Sequence, residues 1–399
     1  MNSRRVMINS CVILILGLLS IDLYNPALPA IKMAFDISDA QAQRMVVWYL
    51  SGFAVSQLIY GPMSDRWGRV PVILLSLFLA ASGNYLTSTA ESYHALLAFR
   101  LLTGLAAGGC PVISRAILSD TFKDKTELSK SLAVFSMASQ ISPALAPIIG
   151  GYITACLPWK YNFLALALFM CLGLLFVKIT LTETAPKQRS SHRPFWGFVV
   201  LLSSLKFVIY SVVSAILFAI TIGYFTASPF VFQTQFHLAP EQNGYLFIAY
   251  SGGIVIGSWL TRKGLACISP EKMLMISLPF LVVVTVSAFL AIQYTTLLSA
   301  GFIVIYSAAV GFGCGLSSPL LLGISLHGHA QLAGTGSALQ GMLKMAGAAL
   351  VLWFFADGHT GTASGLLFAL LILSLVCFLL ITFTQFFISS VSPPASPNA

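Results

Sequence analysis

Apolar residues run along this chain in twelve long stretches, near 7–29, 45–64, 71–90, 95–118, 129–155, 161–181, 207–233, 242–261, 271–291, 297–323, 331–356 and 361–388. Each is about 20 residues long, enough for an α-helix to cross the hydrocarbon of a bilayer. The apolar residues are continuous rather than alternating, so the pattern predicts spanning helices and not the strands of a barrel. The polar breaks are short, except one over 182–206. That break opens with Lys187, Arg189, Ser190, Ser191, His192 and Arg193, then turns amphipathic from Phe195 to Leu205. The amphipathic part predicts a helix lying on the membrane interface. The chain thus divides into an N-terminal six-helix bundle over 1–181, a linker over 182–206 and a C-terminal six-helix bundle over 207–388. The Ser/Pro-rich end, 389–399, is expected to be a disordered tail.

Twelve crossings return both termini to one face, and charge says which face that is. Sixteen of the 21 lysines and arginines fall on the terminal side, against Lys32, Arg44 and Lys160 on the other, with Arg100 and Lys344 inside spans. Such a bias places the terminal side, and the linker with it, in the cytoplasm. A chain that is 57% hydrophobic and 8% charged cannot cover a soluble surface. The net charge of +9 follows from topology, so no nucleic-acid partner is expected; the basic loops face membrane lipid. Arg4 and Arg5 before the first span suit a signal peptide, but eleven further spans and no clear small-residue cleavage site favour a retained helix. The seven cysteines form neither CxxC nor metal spacing, and are expected to be buried small apolar residues.

A faint repeat joins the two halves. After the second span the chain reads Gly61-Pro62-Met63-Ser64-Asp65-Arg66-Trp67-Gly68-Arg69, and after the eighth Gly257-Ser258-Trp259-Leu260-Thr261-Arg262-Lys263-Gly264. The first Gly, the Arg and the second Gly share their spacing, which suggests duplication of a six-helix unit.

The stretch Gly61–Arg69 resembles the signature loop G-x-x-x-D-R-x-G-R of the major facilitator superfamily. Asp22-Leu23-Tyr24-Asn25-Pro26-Ala27-Leu28-Pro29 resembles the D-x-Y-x-P-A-x-P of its Bcr/CflA (bicyclomycin and chloramphenicol resistance) drug:H+ antiporters. Ala146-Pro147-Ile148-Ile149-Gly150-Gly151 resembles the antiporter motif G-P-x-x-G-G. Arg100-Leu101-Leu102-Thr103-Gly104, Ser114-Arg115-Ala116-Ile117 with Asp120, Ser228-Pro229-Phe230-Val231 and Gly334-Thr335-Gly336-Ser337-Ala338 extend the likeness over nearly the whole chain. The resemblance implies an all-α fold of two pseudo-symmetric six-helix bundles, spans 1, 4, 7 and 10 lining a central cavity, and a bacterial inner membrane. It also implies alternating access driven by a proton gradient, without a further cofactor, in a monomer. Thr103 stands where the group has Gln, and Lys344 where it usually has an uncharged polar residue.

Each motif also has a reading from the residues. Asp65 is placed to cap a helix while Arg66 and Arg69 hold carboxylates, with Gly61 allowing close contact, Gly68 the turn and Arg115 nearby, forming a cytoplasmic gate; the alternative is a charged loop that only sets topology. Pro143, Pro147, Gly150 and Gly151 would bend and thin span 5 to seal the two halves together, or be an ordinary kink. Intramembrane charge is the sharper signal, because it is costly. Asp22 is the proton-coupling candidate, its alternative a structural acid paired to a neighbour. Arg100 either holds an anion or tunes Asp22, or snorkels to the outer interface. Lys344 contacts substrate or pairs inside the bundle. Tyr24, Asn25, Tyr224 and Gln340 complete the candidate cavity, with interhelical hydrogen bonding as the commoner use of such groups.

One buried acid against two buried bases makes that cavity positive, and Leu14 stands where cation exporters carry a second acid. The expected function is a proton-coupled exporter of small molecules; the alternative is a transporter of a carboxylate-bearing metabolite such as a siderophore. No nucleotide-binding G-x-x-x-x-G-K-[ST], G-x-S-x-G, HExxH or paired intramembrane Asp is present, so neither ATP-driven transport nor an enzyme is expected.

Overall fold

In a computed structural model of the full chain, residues 3–122, 124–185, 194–294, 299–326, 332–356 and 362–391 are described. Lys123, Lys187, Arg189, Arg193, the histidines at 327 and 329 and the tail from 392 lie outside them. All regular elements among the described residues are helical: α1 (Ser3–Asp22), a 3-10 turn (Asn25–Ala27), α2 (Leu28–Phe35), α3 (Asp39–Trp67), α4 (Arg69–Ser88), α5 (Tyr93–Ala107), α6 (Gly109–Thr121), α7 (Lys125–Ser139), α8 (Ile141–Cys156) and α9 (Lys160–Thr180). Then follow α10 (Pro194–Ser203), α11 (Leu205–Phe230) with a π turn (Val231–Gln235), α12 (Pro240–Gly264), α13 (Pro270–Tyr294), α14 (Ala300–Ser325), α15 (Ala333–Ala356) and α16 (Ala363–Val391).

Among the described residues eleven helical stretches, not twelve, are long and apolar enough to cross a membrane. The one that falls short is α3, at 29 residues longer than the expected 45–64. Asp39, Arg44, Asp65 and Arg66 sit near its ends, and Ser51, Ser56 and Gln57 dilute its middle. It still packs along α5 on one side and α15 on the other. Its start is well defined: the Ser38 side chain accepts from the Gln41 N–H, and the Gln41 side chain accepts from the Ser38 N–H, a reciprocal cap.

Hydrogen bonds identify which helix ends lie together. The start of α1 meets the end of α9 where Thr180 Oγ1 donates to Asn9 Oδ1 at 2.7 Å. The α3–α4 turn meets the chain just after α9, through Glu183. We call this the turn end. At the far end Gln233 Nε2 donates to the Pro26 carbonyl at 2.8 Å, Tyr93 Oη to the Gln41 carbonyl at 2.8 Å, and Lys32 pairs with Asp39 at 2.6 Å. One buried core gathers residues from Val6 to Leu181 together with Ile222, Phe230, Met345, Ala349 and Leu352, and a second runs from Tyr210 to Ile381. The short helix α10 tucks Leu201 against Phe207 and Leu339 instead of turning its whole apolar face to lipid.

The two cores repeat one packing device. Gly104 of α5 lies so close to the Tyr49 carbonyl of α3 that a Cβ would overlap it, and Gly311 of α14 meets the Tyr250 carbonyl of α12 in the same way. Small residues let helix backbones touch where lipid offers no hydrophobic drive. Asp39 opens α3 and Pro240 opens α12. Counted from those starts, Tyr49 corresponds to Tyr250, but Gly61 corresponds to Arg262 and not to Gly257. The repeat read from the sequence is therefore out of register with the packing. Gly257 works at the α12–α14 contact, against the Phe312 carbonyl, whereas a Cβ on Gly61 would meet nothing nearer than Val112 at 4.0 Å. Gly61 does not mediate a close helix contact. The cysteines are free of disulfides, and Cys156, Cys171 and Cys267 are exposed rather than buried.

Replacing Gly104 by Leu should therefore cost at least the ~1–3 kcal/mol of an overpacked core, because backbone stands in the way. Gly61→Ala should be neutral or gain about 0.5–1 kcal/mol by helix propensity. Thermal unfolding of the two purified variants in detergent checks the contrast.

Candidate functional site

The first span breaks in its middle. α1 stops at Asp22, a 3-10 turn follows at Asn25–Ala27, and α2 resumes at Leu28. Pro26 lacks the N–H that would bond the carbonyl four residues earlier, so the helix cannot continue regularly there. Arg100 sits against this broken end. Its Nη2 donates to the Ser20 carbonyl at 3.0 Å, and its guanidinium lies 4.3 Å from the ring centres of both Tyr24 and Tyr49 and 5.6 Å from that of Phe163. A cation at a helix C-terminus complements the carbonyls exposed there, and aromatic faces stabilise it where water is excluded. Arg100 is 0% exposed, so it neither snorkels to an interface nor lines open space in this conformation. Tyr24, also fully buried, belongs to the same cage.

Asp22 is 4% exposed and sits at the last residue of α1. Ser142 Oγ donates to its Oδ2 at 3.3 Å. No lysine or arginine among the described residues lies within ion-pair distance of it. A buried carboxylate without a cation is expensive, so a proton rather than an ion pair is the natural balance for this charge. The neighbour that Asp22 pairs with is the Ser142 hydroxyl and not a cation.

Ser142 opens the Pro/Gly segment of α8, and this segment joins the two halves. Gly150 presses against the Leu23 carbonyl in the broken span, leaving no room for a Cβ. On its other side Gly151 faces the Pro240 carbonyl, 2.6 Å from where a Cβ would sit, and Gly244 faces the Pro147 carbonyl at the same distance. Pro147 has no N–H for the carbonyl of Pro143; Ser251 Oγ of α12 donates to it instead, at 3.1 Å. Tyr152 and Tyr245 add a hydroxyl–hydroxyl contact with their rings edge-on, 5.9 Å apart. Arg44 of α3 lies over Trp353 of α15 at 4.7 Å.

At the turn end Arg69, not Asp65, is the centre. Its guanidinium bonds Asp120 Oδ2 at 2.8 Å, Ser64 Oγ at 2.7 Å and Asp65 Oδ1. The cap on α4 is Glu183, whose carboxylate accepts from the backbone N–H of Arg69 at 2.8 Å and of Val70 at 3.1 Å. Gly68 turns at φ +96°, and a Cβ on it would meet Glu183 Oε2 at 2.6 Å. Asp65 keeps a 66% exposed side chain, and Arg66 is exposed without an ion pair among the described residues. The network ties α3, α4, α6 and the chain after α9 together, so it braces one half. The bond that crosses between halves near this end is Arg115 Nη1 to Ser337 Oγ, 3.0 Å.

The remaining cavity candidates are not gathered into one site. Tyr224 stacks on Tyr250 at 4.7 Å within the second core. Asn25 is buried at the break with both amide atoms unpaired, and Gln340 Nε2 is likewise buried and unpaired. Lys344 lies 4.4 Å from the Phe218 ring. Glu183, Ser142, Ser251 and Ser337 were not singled out in the sequence. The spacing of Pro143 and Pro147 does announce a freed carbonyl, but not which donor answers it. No group of metal-ligating side chains exists among the described residues.

Burial acts on the Glu183 carboxyl to raise it, but hydrogen bonds from the backbone N–H groups of Ala185, Arg69, Val70 and Thr184 outweigh this and hold it below its ordinary value. A folded value below the unfolded one means the cap stabilises above the ordinary carboxyl range and is lost as pH falls through the depressed value. Glu183→Gln should cost about 1 kcal/mol at neutral pH, as a lost cap does. The deficit against the unsubstituted chain should close below about pH 4, as read by thermal unfolding across pH.

Residues 10–352 match the Major Facilitator Superfamily. The chain is 27% identical over 381 residues to the bicyclomycin resistance protein homolog of Haemophilus influenzae, covering 90% of this chain and 92% of that one. It is 28% identical over 386 residues to the multidrug resistance protein MdtL of Shigella flexneri, covering 95% of each. The crystal structure of a D-xylose-proton symporter shares the fold, with a TM-score of 0.76 at 13% identity over 94% of this chain and 96% of that one. None of these three names a siderophore. The long helices, the Arg69 turn and the Pro/Gly contact between halves are those of a transporter, and the chain belongs to the major facilitator superfamily.

Proposed function

We propose that this chain is a proton-coupled exporter of small, drug-like molecules that works by alternating access as a monomer in a bacterial inner membrane. In this reading α3 also spans, giving twelve crossings, and the turn end faces the cytoplasm because the basic side chains cluster there. The observation that carries it is Asp22: a buried acid at a break in the first span, balanced by one hydroxyl and no cation. Broken helices at membrane depth are where transporters bind their ions. Ser142, which touches Asp22, is followed directly by Pro143, whose carbonyl is held by Ser251 of the other half. Loss of the Asp22 proton is thereby coupled to the contact that closes the far end. The drug-resistance names of the relatives supply the substrate class.

A second reading, in which the substrate bears a carboxylate, is favoured by Lys344. It carries positive charge inside a span with no carboxylate in ion-pair reach among the described residues.

Everted vesicles with an inside-acid gradient should accumulate bicyclomycin, and Asp22→Asn should abolish the accumulation. Accumulation that survives Asp22→Asn removes Asp22 from coupling. In a background without native cysteines, joining Tyr152→Cys to Tyr245→Cys with a short thiol cross-linker should stop flux, and reductive cleavage of the link should restore it. Full flux while cross-linked would show that the α8–α12 contact does not open.

A further inference from the structure

Arg115 is exposed and Lys344 is half-buried. They come from opposite halves: Arg115 from α6, Lys344 from α15. Neither has a carboxylate within ion-pair distance among the described residues. The Arg115–Ser337 bond sets Arg115 against the helix that carries Lys344 two turns further on. Two like charges held along one helix repel unless something negative lies between them.

The helix geometry joins them into one track. Ser337, Gln340 and Lys344 are spaced three and four residues apart, so they line one face of α15. The Arg115–Ser337 bond turns that face toward the first half. Gly341, beside it, approaches Gln57 of α3: a Cβ there would lie 3.2 Å from Gln57 Oε1. Gln340 is 5% exposed and its Nε2 donor has no partner. A buried unmatched donor costs free energy that an acceptor arriving there would recover. The Phe218 ring under Lys344 makes a floor for the cation without neutralising it.

We infer that Arg115, Ser337, Gln340 and Lys344 form an anion ladder between the two halves, which takes a small carboxylate at the turn end and passes it toward mid-membrane. Every group on the ladder can donate a hydrogen bond, and Arg115 offers the planar fork that fits a carboxylate. Arg100, the other buried base, takes no part, since its aromatic cage has no opening. The ladder rests on the transport reading for its purpose, but not for its chemistry. Binding is read without a gradient, so a failure of proton coupling leaves the result intact.

The test is calorimetric titration of the purified full chain in neutral detergent with benzoate, and with benzamide as its uncharged isostere. Benzoate should bind and benzamide should not. Lys344→Gln and Arg115→Gln should each weaken benzoate by about tenfold or more, the loss of one charged contact. Lys344→Arg and Arg115→Lys, which keep the charge, should retain most of it and show that the fold is intact. Lys263→Gln, at the exposed end of α12, should leave benzoate binding unchanged. No benzoate binding to the unsubstituted chain, equal binding of benzamide, or equal benzoate affinity across all variants would overturn the ladder.

Discussion

Inside hydrocarbon a backbone carbonyl that loses its helical donor must find another, and two prolines impose that demand here. Pro26 ends the regular first helix, and Pro147 strips the donor from the Pro143 carbonyl. Ser251 answers the Pro143 carbonyl, while Arg100 and Gln233 bond the Ser20 and Pro26 carbonyls on either side of the first break. The Ser251 and Gln233 bonds cross from one half to the other. Polar bonds to backbone thus join the halves, beside the apolar packing of Ile222, Phe230, Met345, Ala349 and Leu352 against the first core. Interhelical bonds of this kind are worth about 0.6 kcal/mol each, so each is cheap to break and remake.

The two halves share a scaffold and differ in charge. Tyr49 on α3 and Tyr250 on α12 occupy corresponding positions, each beside a glycine contact. In the first half Arg100 is inserted between Tyr49 and Tyr24. In the second, Ser307 takes the corresponding position and Tyr250 stacks directly on Tyr224. The Arg69 network has no counterpart of its kind at Arg262 and Lys263, which are exposed, with Lys263 over Trp259. The buried acid Asp22 and the bracing Arg69 network both belong to the first half. The second brings Ser251 and Lys344 to meet it.

Length and apolarity made most spans legible, since continuous hydrophobic runs leave little else to be. The apolar pattern predicts an unbroken first span over 7–29, although Pro26 marks the interruption; propensity tells that a helix bends, not where the chain goes next. The second was read too short, because its polar ends are held by the Ser38–Gln41 cap and the Arg69 network rather than by lipid. Arg100 shows the deeper limit. In a helix apolar all round, periodicity does not say which face turns inward, and the same arginine fits a cavity, an interface or a cage. The cage depends on Tyr49 and Phe163, far away in sequence. Glu183 was hidden for a similar reason, as a cap supplied from more than a hundred residues downstream.

Asp22, Ser142 and the Pro143–Ser251 contact lie in sequence along one short path from a buried acid to the interface of the halves. The central claim is that the proton on Asp22 governs whether the far end is shut. Spin labels at Leu157→Cys and Tyr294→Cys, exposed positions at the far end of each half, read this directly by pulsed electron resonance in nanodiscs. The distance distribution should lengthen as pH is raised in the chain with Asp22 intact, and stay short at every pH in Asp22→Asn. The same pH response with and without the carboxyl would contradict the account.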